Sequence, residues 1–193
     1  MKIMIKTSTM LLDELAAYQD PFGKIRRMCQ AGELYPLTRG LYETDANAPG
    51  FILAAAIYGP SYLSFEYALS FYNLIPERVF TYTSATCGKG KKKAYENHFG
   101  RYSYADIPVT AFPYGTEILQ QGDYACAIAT PEKAVCDKLY QIRSVHSIKA
   151  LKTLLFEDLR IDPEQFASLD QKLLTELCPL YHSSTLDVFN RYL

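Results

Sequence analysis

Tryptophan is absent, cysteine occurs only five times, and charge of either sign is nearly cancelled by the other: 20 Lys and Arg stand against 21 Asp and Glu, a net of -1. With 49% hydrophobic residues, so small a net charge excludes the apolar-poor, charge-rich composition of a disordered chain. Ten Gly and ten Pro in 193 residues exclude a fibrous or low-complexity bias. No apolar run approaches the ~20 residues that span a bilayer; the longest covers residues 51–58. Lys2 and Lys6 enclose only Ile3, Met4 and Ile5, too few for the apolar region of a secretory signal. A cytoplasmic protein without a membrane segment is expected.

The cysteines at 29, 87, 126, 136 and 178 contain no Cys-x-x-Cys pair, and the histidines at 98, 146 and 182 share no ligand spacing with one another or with a cysteine. Neither a metal nor a cofactor is expected. The cysteines read as small buried hydrophobes of a reducing compartment.

Near-neutrality conceals an asymmetry. Residues 1–101 carry 12 basic and 9 acidic side chains, and residues 102–193 carry 8 and 12. Two clusters produce most of the first excess: Lys24, Arg26, Arg27 and Arg39, with only Glu33 between them, and Lys89, Lys91, Lys92, Lys93 and Arg101, with only Glu96. Such clustering raises the question of a polyanionic partner.

Thr7, Ser8 and Thr9 offer capping hydroxyls ahead of Met10, Leu11, Leu12, Leu15 and Ala16, the spacing of a short amphipathic helix. Asp20-Pro21 then starts a second helix over 21–31, closed by Gly32. At 100° per residue, Phe22, Ile25, Met28 and Cys29 fall on one side of it, and Gly23, Arg26, Arg27 and Gln30 around the other. Two short strands follow about a turn at Thr38-Arg39-Gly40. Helix, turn, helix and a hairpin with Arg at its tip is the order of a winged helix-turn-helix, whose second helix enters a major groove ~12 Å wide. Arg27 and Gln30 suit base edges, Lys24, Arg26 and Arg39 suit phosphate, and Thr38 in the turn completes the candidate DNA-binding set. A helix pair and hairpin that simply pack on a larger domain, with a solvated basic face, is the plainer alternative.

Residues 24–28, 32–34 and 39–43 resemble the winged helix that opens AbiEi-type antitoxins, the antitoxin half of type IV abortive-infection toxin-antitoxin pairs. Residues 59–69 with 74–77 are similar to that family's central helix, and Thr130-Pro131-Glu132-Lys133-Ala134 followed by Asp137-Lys138-Leu139-Tyr140 resembles its later motif. The resemblance implies a phage-defence antitoxin that also represses its own operon. Its N-terminal winged helix would bind upstream DNA repeats. Its C-terminal domain would antagonise a nucleotidyltransferase-like toxin without a stable complex. The chain departs from the usual pattern in having only about 20 residues ahead of the presumed recognition helix, where three-helix winged helices have more.

Residues 45–50 are small, polar and broken by Pro-Gly, which marks a linker and divides the chain into 1–45 and 46–193. The second part mixes helices expected over 51–58 and 64–72, strands over 79–84, 95–104, 109–112 and 124–129, and a helix from Thr130-Pro131 to about Arg143. Ser64 reads as the cap of the second of these helices. The remainder reads as helical, with Leu151, Leu154, Leu155 and Leu159 on one face and Leu173, Leu174 and Leu177 on another. The expected fold class is therefore α+β: a small winged lobe joined to a larger mixed α/β domain with a helical end.

Cys87-Gly-Lys-Gly-Lys-Lys-Lys93 lacks the spacing of a phosphate-binding loop. It reads as a flexible solvated loop, or as a nucleic-acid contact through Lys89, Lys91, Lys92 and Lys93. The string Asp162…Asp170-Gln171-Lys172 imitates a nuclease core, but both acids sit where helices start and read as caps. No nucleophile or glycine fingerprint has a recognisable context. No enzyme is expected. The alternative to a DNA-binding antitoxin is a protein- or RNA-interaction module with a vestigial winged helix.

Overall fold

Thr7 and Asp20 cap the first two helices of the chain in a computed structural model, which describes residues 5–142 and 144–193. Lys2 to Met4 and Arg143, which figured in the signal and helix-end expectations, lie outside the described residues. Strand β1 (Ile5–Thr7) precedes α1 (Ser8–Glu14), whose first turn is closed by the Thr7 hydroxyl accepting from the Met10 N–H at 3.2 Å. After α2 (Pro21–Gln30), β2 (Tyr35–Thr38) and β3 (Leu41–Glu43) form a hairpin. All pairing is antiparallel, in the order β1-β3-β2. Three residues are too few to show an alternation, so β1 left no pattern to read.

This small sheet packs apolar side chains against both of its faces, and also buries Glu43 of β3. Towards the helices, Leu11, Ile25 and Leu34 are buried together. On the other side Leu37 belongs to the main core, with Ile5 and Leu41 packed against it. Tyr35 packs at a tilt against His98 with ring centroids 4.6 Å apart, and the Asn97 amide donates to the Leu37 carbonyl at 3.1 Å. The segment 45–50 expected as a linker is packed into this junction: Ala48 and Gly50 are buried. A Cβ on Gly50 would lie 2.3 Å from the Phe99 carbonyl oxygen, so the close approach requires glycine there.

The larger body begins with a 3₁₀ turn (Gly50–Leu53) and α3 (Ala54–Ile57), two pieces where one helix was expected. Next come β4 (Tyr62–Leu63), α4 (Phe65–Phe71), β5 (Thr81–Thr86), β6 (Lys93–Asn97), β7 (Gly100–Asp106), β8 (Thr116–Gln121) and β9 (Tyr124–Ala129). The six strands lie in the order β6-β7-β5-β4-β9-β8. β5 pairs parallel with β7 and β4 parallel with β9; the other pairs are antiparallel. The strand expected over 109–112 is a turn, in which the Ala111 and Phe112 N–H groups both donate to the Pro108 carbonyl. The strand expected over 95–104 is a hairpin, because Asn97 accepts the Phe99 N–H and Gly100 takes a φ of 133°. β8 is exposed at most positions and carried no apolar alternation.

The chain ends in helices: α5 (Pro131–Gln141), α6 (Ile148–Thr153) widening into a π turn (Leu154–Asp158), α7 (Pro163–Ala167), α8 (Gln171–Leu177), a 3₁₀ turn (Cys178–Tyr181) and α9 (Ser184–Tyr192). Leu151, Leu154, Leu155, Leu174 and Leu177 are buried as the stripes predict, while Leu159 and Leu173 are half-buried at the rim. The class is α+β. Among the described residues no helix is long and apolar enough to cross a membrane. Cys126, Cys136 and Cys178 are buried, Cys29 and Cys87 half-buried, and all five are free thiols.

Candidate nucleic-acid interface

The basic face of α2 is fixed by a cap below and a core behind. Asp20 accepts the Gly23 N–H at 2.8 Å, Pro21 supplies a preset φ, and Ile25 anchors the helix. Arg26, Arg27 and Gln30 are thereby left exposed, while Lys24 is half-buried with its ammonium 5.7 Å from the centroid of the Tyr18 ring. The hairpin tip is tied down as well: the Ser8 N–H donates to the Gly40 carbonyl at 2.9 Å, and Gly40 holds a φ of 80° that the turn demands.

Arg26, Thr38 and Arg39 line one groove of about 480 Å³ between α2 and the hairpin. Arg27 and Gln30 lie on the adjoining exposed flank of the helix and do not line it, and Lys24 turns towards Tyr18. Among the described residues none of Lys24, Arg26, Arg27 and Arg39 forms an ion pair. The groove also takes in Phe22, which is 68% exposed. Helical phase had placed that ring with the core side chains, but in the first turn it overhangs the small core and does not enter it.

The lysine loop belongs to the larger body and its residues do not line that groove. It is a pinned turn where a flexible loop was expected. Asp106, at the end of β7, accepts the Lys89 and Gly90 N–H groups at 2.7 Å each and the Thr86 hydroxyl at 2.6 Å. Burial alone would raise the Asp106 pKa, but these hydrogen bonds and the Lys89 charge prevail and hold it below the usual carboxylate range. The backbone donors that could cradle a phosphate are thus occupied by an internal carboxylate. Lys89 donates to the Gly59 carbonyl at 2.9 Å and lies over the Tyr58 ring. Lys91 and Lys92 remain exposed beside a cleft of about 350 Å³ that also borders Tyr140. Lys93 is half-buried at the start of β6.

The Thr130 motif starts a helix and also builds something its sequence did not announce. Thr130 caps α5, accepting the Lys133 N–H. One turn apart on that helix, Lys133 and Asp137 form a fully buried pair at 3.1 Å. The ammonium also donates to the Ala111 carbonyl at 2.8 Å and to the Tyr181 hydroxyl at 2.6 Å. The carboxylate accepts the hydroxyls of Tyr62, Ser64 and Tyr181 at 2.9, 2.6 and 2.5 Å. Ser64, expected to cap α4, spends its hydroxyl here and makes no side-chain cap bond. Burial pushes the Lys133 pKa down against the pull of Asp137, and burial together with the Asp137 charge pushes Tyr181 up. With every partner supplied from within and no solvent contact, the cluster is a clamp joining α5, β4, the 108–115 turn and the C-terminal 3₁₀ turn.

Asp162 and Asp170 are helix caps, each accepting two N–H groups of the following turn. Among the described residues no group of three or more His, Cys, Asp or Glu is placed to hold a metal ion.

Comparison of the chain with protein-family models and with curated proteins returns no match.

Proposed function

We propose that this chain is a cytoplasmic, duplex-DNA-binding repressor that also serves as the antitoxin of a type IV pair. The DNA-binding half of the reading is carried by one observation: Arg26, Thr38 and Arg39 share a groove beside exposed Arg27 and Gln30, with no counter-ion among the described residues. The order strand, helix, helix, hairpin, with β1 paired to the second hairpin strand, supports a winged helix whose presented helix is α2. A helix ~10–12 Å across fits a major groove of ~12 Å. In that pose Arg27 and Gln30 meet base edges, Lys24, Arg26 and Thr38 meet phosphate, and Arg39 reaches the backbone or minor groove from the hairpin tip. Lys91, Lys92 and Lys93 offer a second basic contact on the larger body; Lys89 is already engaged. The antitoxin half rests on the family resemblance, and antagonism of a nucleotidyltransferase-like toxin without a stable complex requires no catalytic group, cofactor or metal of this chain.

Gel-shift titration on DNA from upstream of the reading frame tests the DNA-binding half. Arg27→Ala and Arg39→Ala abolish or greatly weaken binding at moderate salt and leave the circular dichroism unchanged. Equal affinity of both variants and the parent would return the lobe to the alternative of a protein- or RNA-interaction module.

A further inference from the structure

Phe22 is the second residue of α2 and shares a helical side with Ile25, yet Ile25 is 5% exposed and Phe22 is 68% exposed. Its ring lies on a groove whose other walls include Arg26, Pro36, Thr38, Arg39 and Tyr42. That lining contains two cations and no carboxylate. The nearest acid in sequence, Asp20, is turned back on the helix to accept the Gly23 N–H. A large, exposed aromatic ring on a groove that two arginines also line, without a counter-ion among the described residues, is an unusual surface that combines an apolar group with unpaired cations.

We propose that Phe22 reads thymine, packing its ring on the C5-methyl group in the major groove while Arg26 and Arg39 hold the phosphates on either side. The inference rests on the DNA-binding reading of α2 given above and adds to it a source of sequence preference. The edges of base pairs in the major groove are hydrogen-bonding atoms except at thymine, whose methyl is the apolar feature exposed there, and Phe is among the side chains suited to it. The charge of the groove favours a polyanion over an apolar protein surface, since two unpaired guanidinium groups would have to be desolvated against such a partner.

The test uses the full chain in selection from a random duplex pool, followed by affinity measurement on the selected duplex with deoxyuridine replacing individual thymines. The parent prefers thymine at one or two positions facing the start of α2 and loses about fourfold in affinity per methyl removed, the equivalent of about 0.8 kcal/mol per buried methyl. Phe22→Ala binds that duplex about tenfold more weakly and is indifferent to deoxyuridine. Phe22→Leu, still apolar, retains the deoxyuridine sensitivity. Selection of the same sequence by Phe22→Ala with an undiminished deoxyuridine penalty overturns the inference and leaves DNA binding standing. So does a loss of self-association on Phe22→Ala with base preference intact, which would assign the ring to a contact between copies. A parent chain that binds no duplex overturns both readings at once.

Discussion

Asp137 takes three hydroxyl donors and one ammonium at zero exposure, and that count determines how the molecule answers to mutation. A buried pair is worth little compared with apolar replacements of the same shape, but breaking it strands a charge. Asp137→Ala should therefore lower the unfolding free energy by about 3–5 kcal/mol, measured by urea denaturation. Lys133→Met combined with Asp137→Leu should cost less than the two single changes added together; strict additivity would mean that the two groups are not coupled. At this scale the sequence was informative about identity and silent about environment. Lys133 and Asp137 sit four apart with Ala134, Val135 and Cys136 between them, a spacing that on most helices marks a solvated surface pair. Their burial comes from Tyr62, Ser64 and Tyr181, which are 44 to 75 residues away from Asp137. Phe22 misled in the opposite sense: helical phase is a property of the turn, whereas burial depends on whether a neighbour extends far enough to cover that turn.

At the scale of elements, capping chemistry was the most legible signal. Thr7, Asp20, Thr130, Asp162 and Asp170 all accept N–H groups of the helices they precede, because the cap bond is local and needs no tertiary partner. Elements without local chemistry were missed. β1 is three residues long, β4 two, and β8 is exposed on both faces, so their existence depends on partners and not on pattern. The basic loop after β5 illustrates the same division. Gly88 and Gly90, at φ 65° and 71°, announce a turn, but its anchor, Asp106, comes from the far end of β7. Asp106→Ala should free the amides of Lys89 and Gly90 and speed their hydrogen exchange by at least an order of magnitude, with the strand amides of β5 and β7 unaffected. Unchanged exchange at those two amides would show that the glycines alone hold the turn.

For the whole molecule, the charge asymmetry between the two ends was legible from composition, while the packing between them was not. Residues 45–50 have the composition of a tether, and tethers are recognised by composition alone. What overrides it here is Leu37, a hairpin residue at 3% exposure inside the main core, together with Tyr35 packed against His98. The small sheet consequently shares its two faces between two apolar clusters, and the chain should unfold in one transition. Leu37→Ala should destabilise that transition by about 2–5 kcal/mol, with the signals of both ends moving together in a thermal melt; two separated transitions would contradict a shared core.

The central claim is that the α2 face and hairpin tip are a polyanion-binding surface. Its most direct measurement is the salt dependence of affinity for a short fluorescent duplex, compared between the parent chain and the Arg27→Ala/Arg39→Ala double variant. Each phosphate contact contributes about 0.9 to the slope of log affinity against log salt, a contribution that losing the side chain removes. One phosphate contact, that of Arg39, should therefore vanish from the slope, and the loss of the Arg27 base contact should lower affinity at every salt concentration. Parallel lines of equal affinity for the parent and the variant would contradict the account.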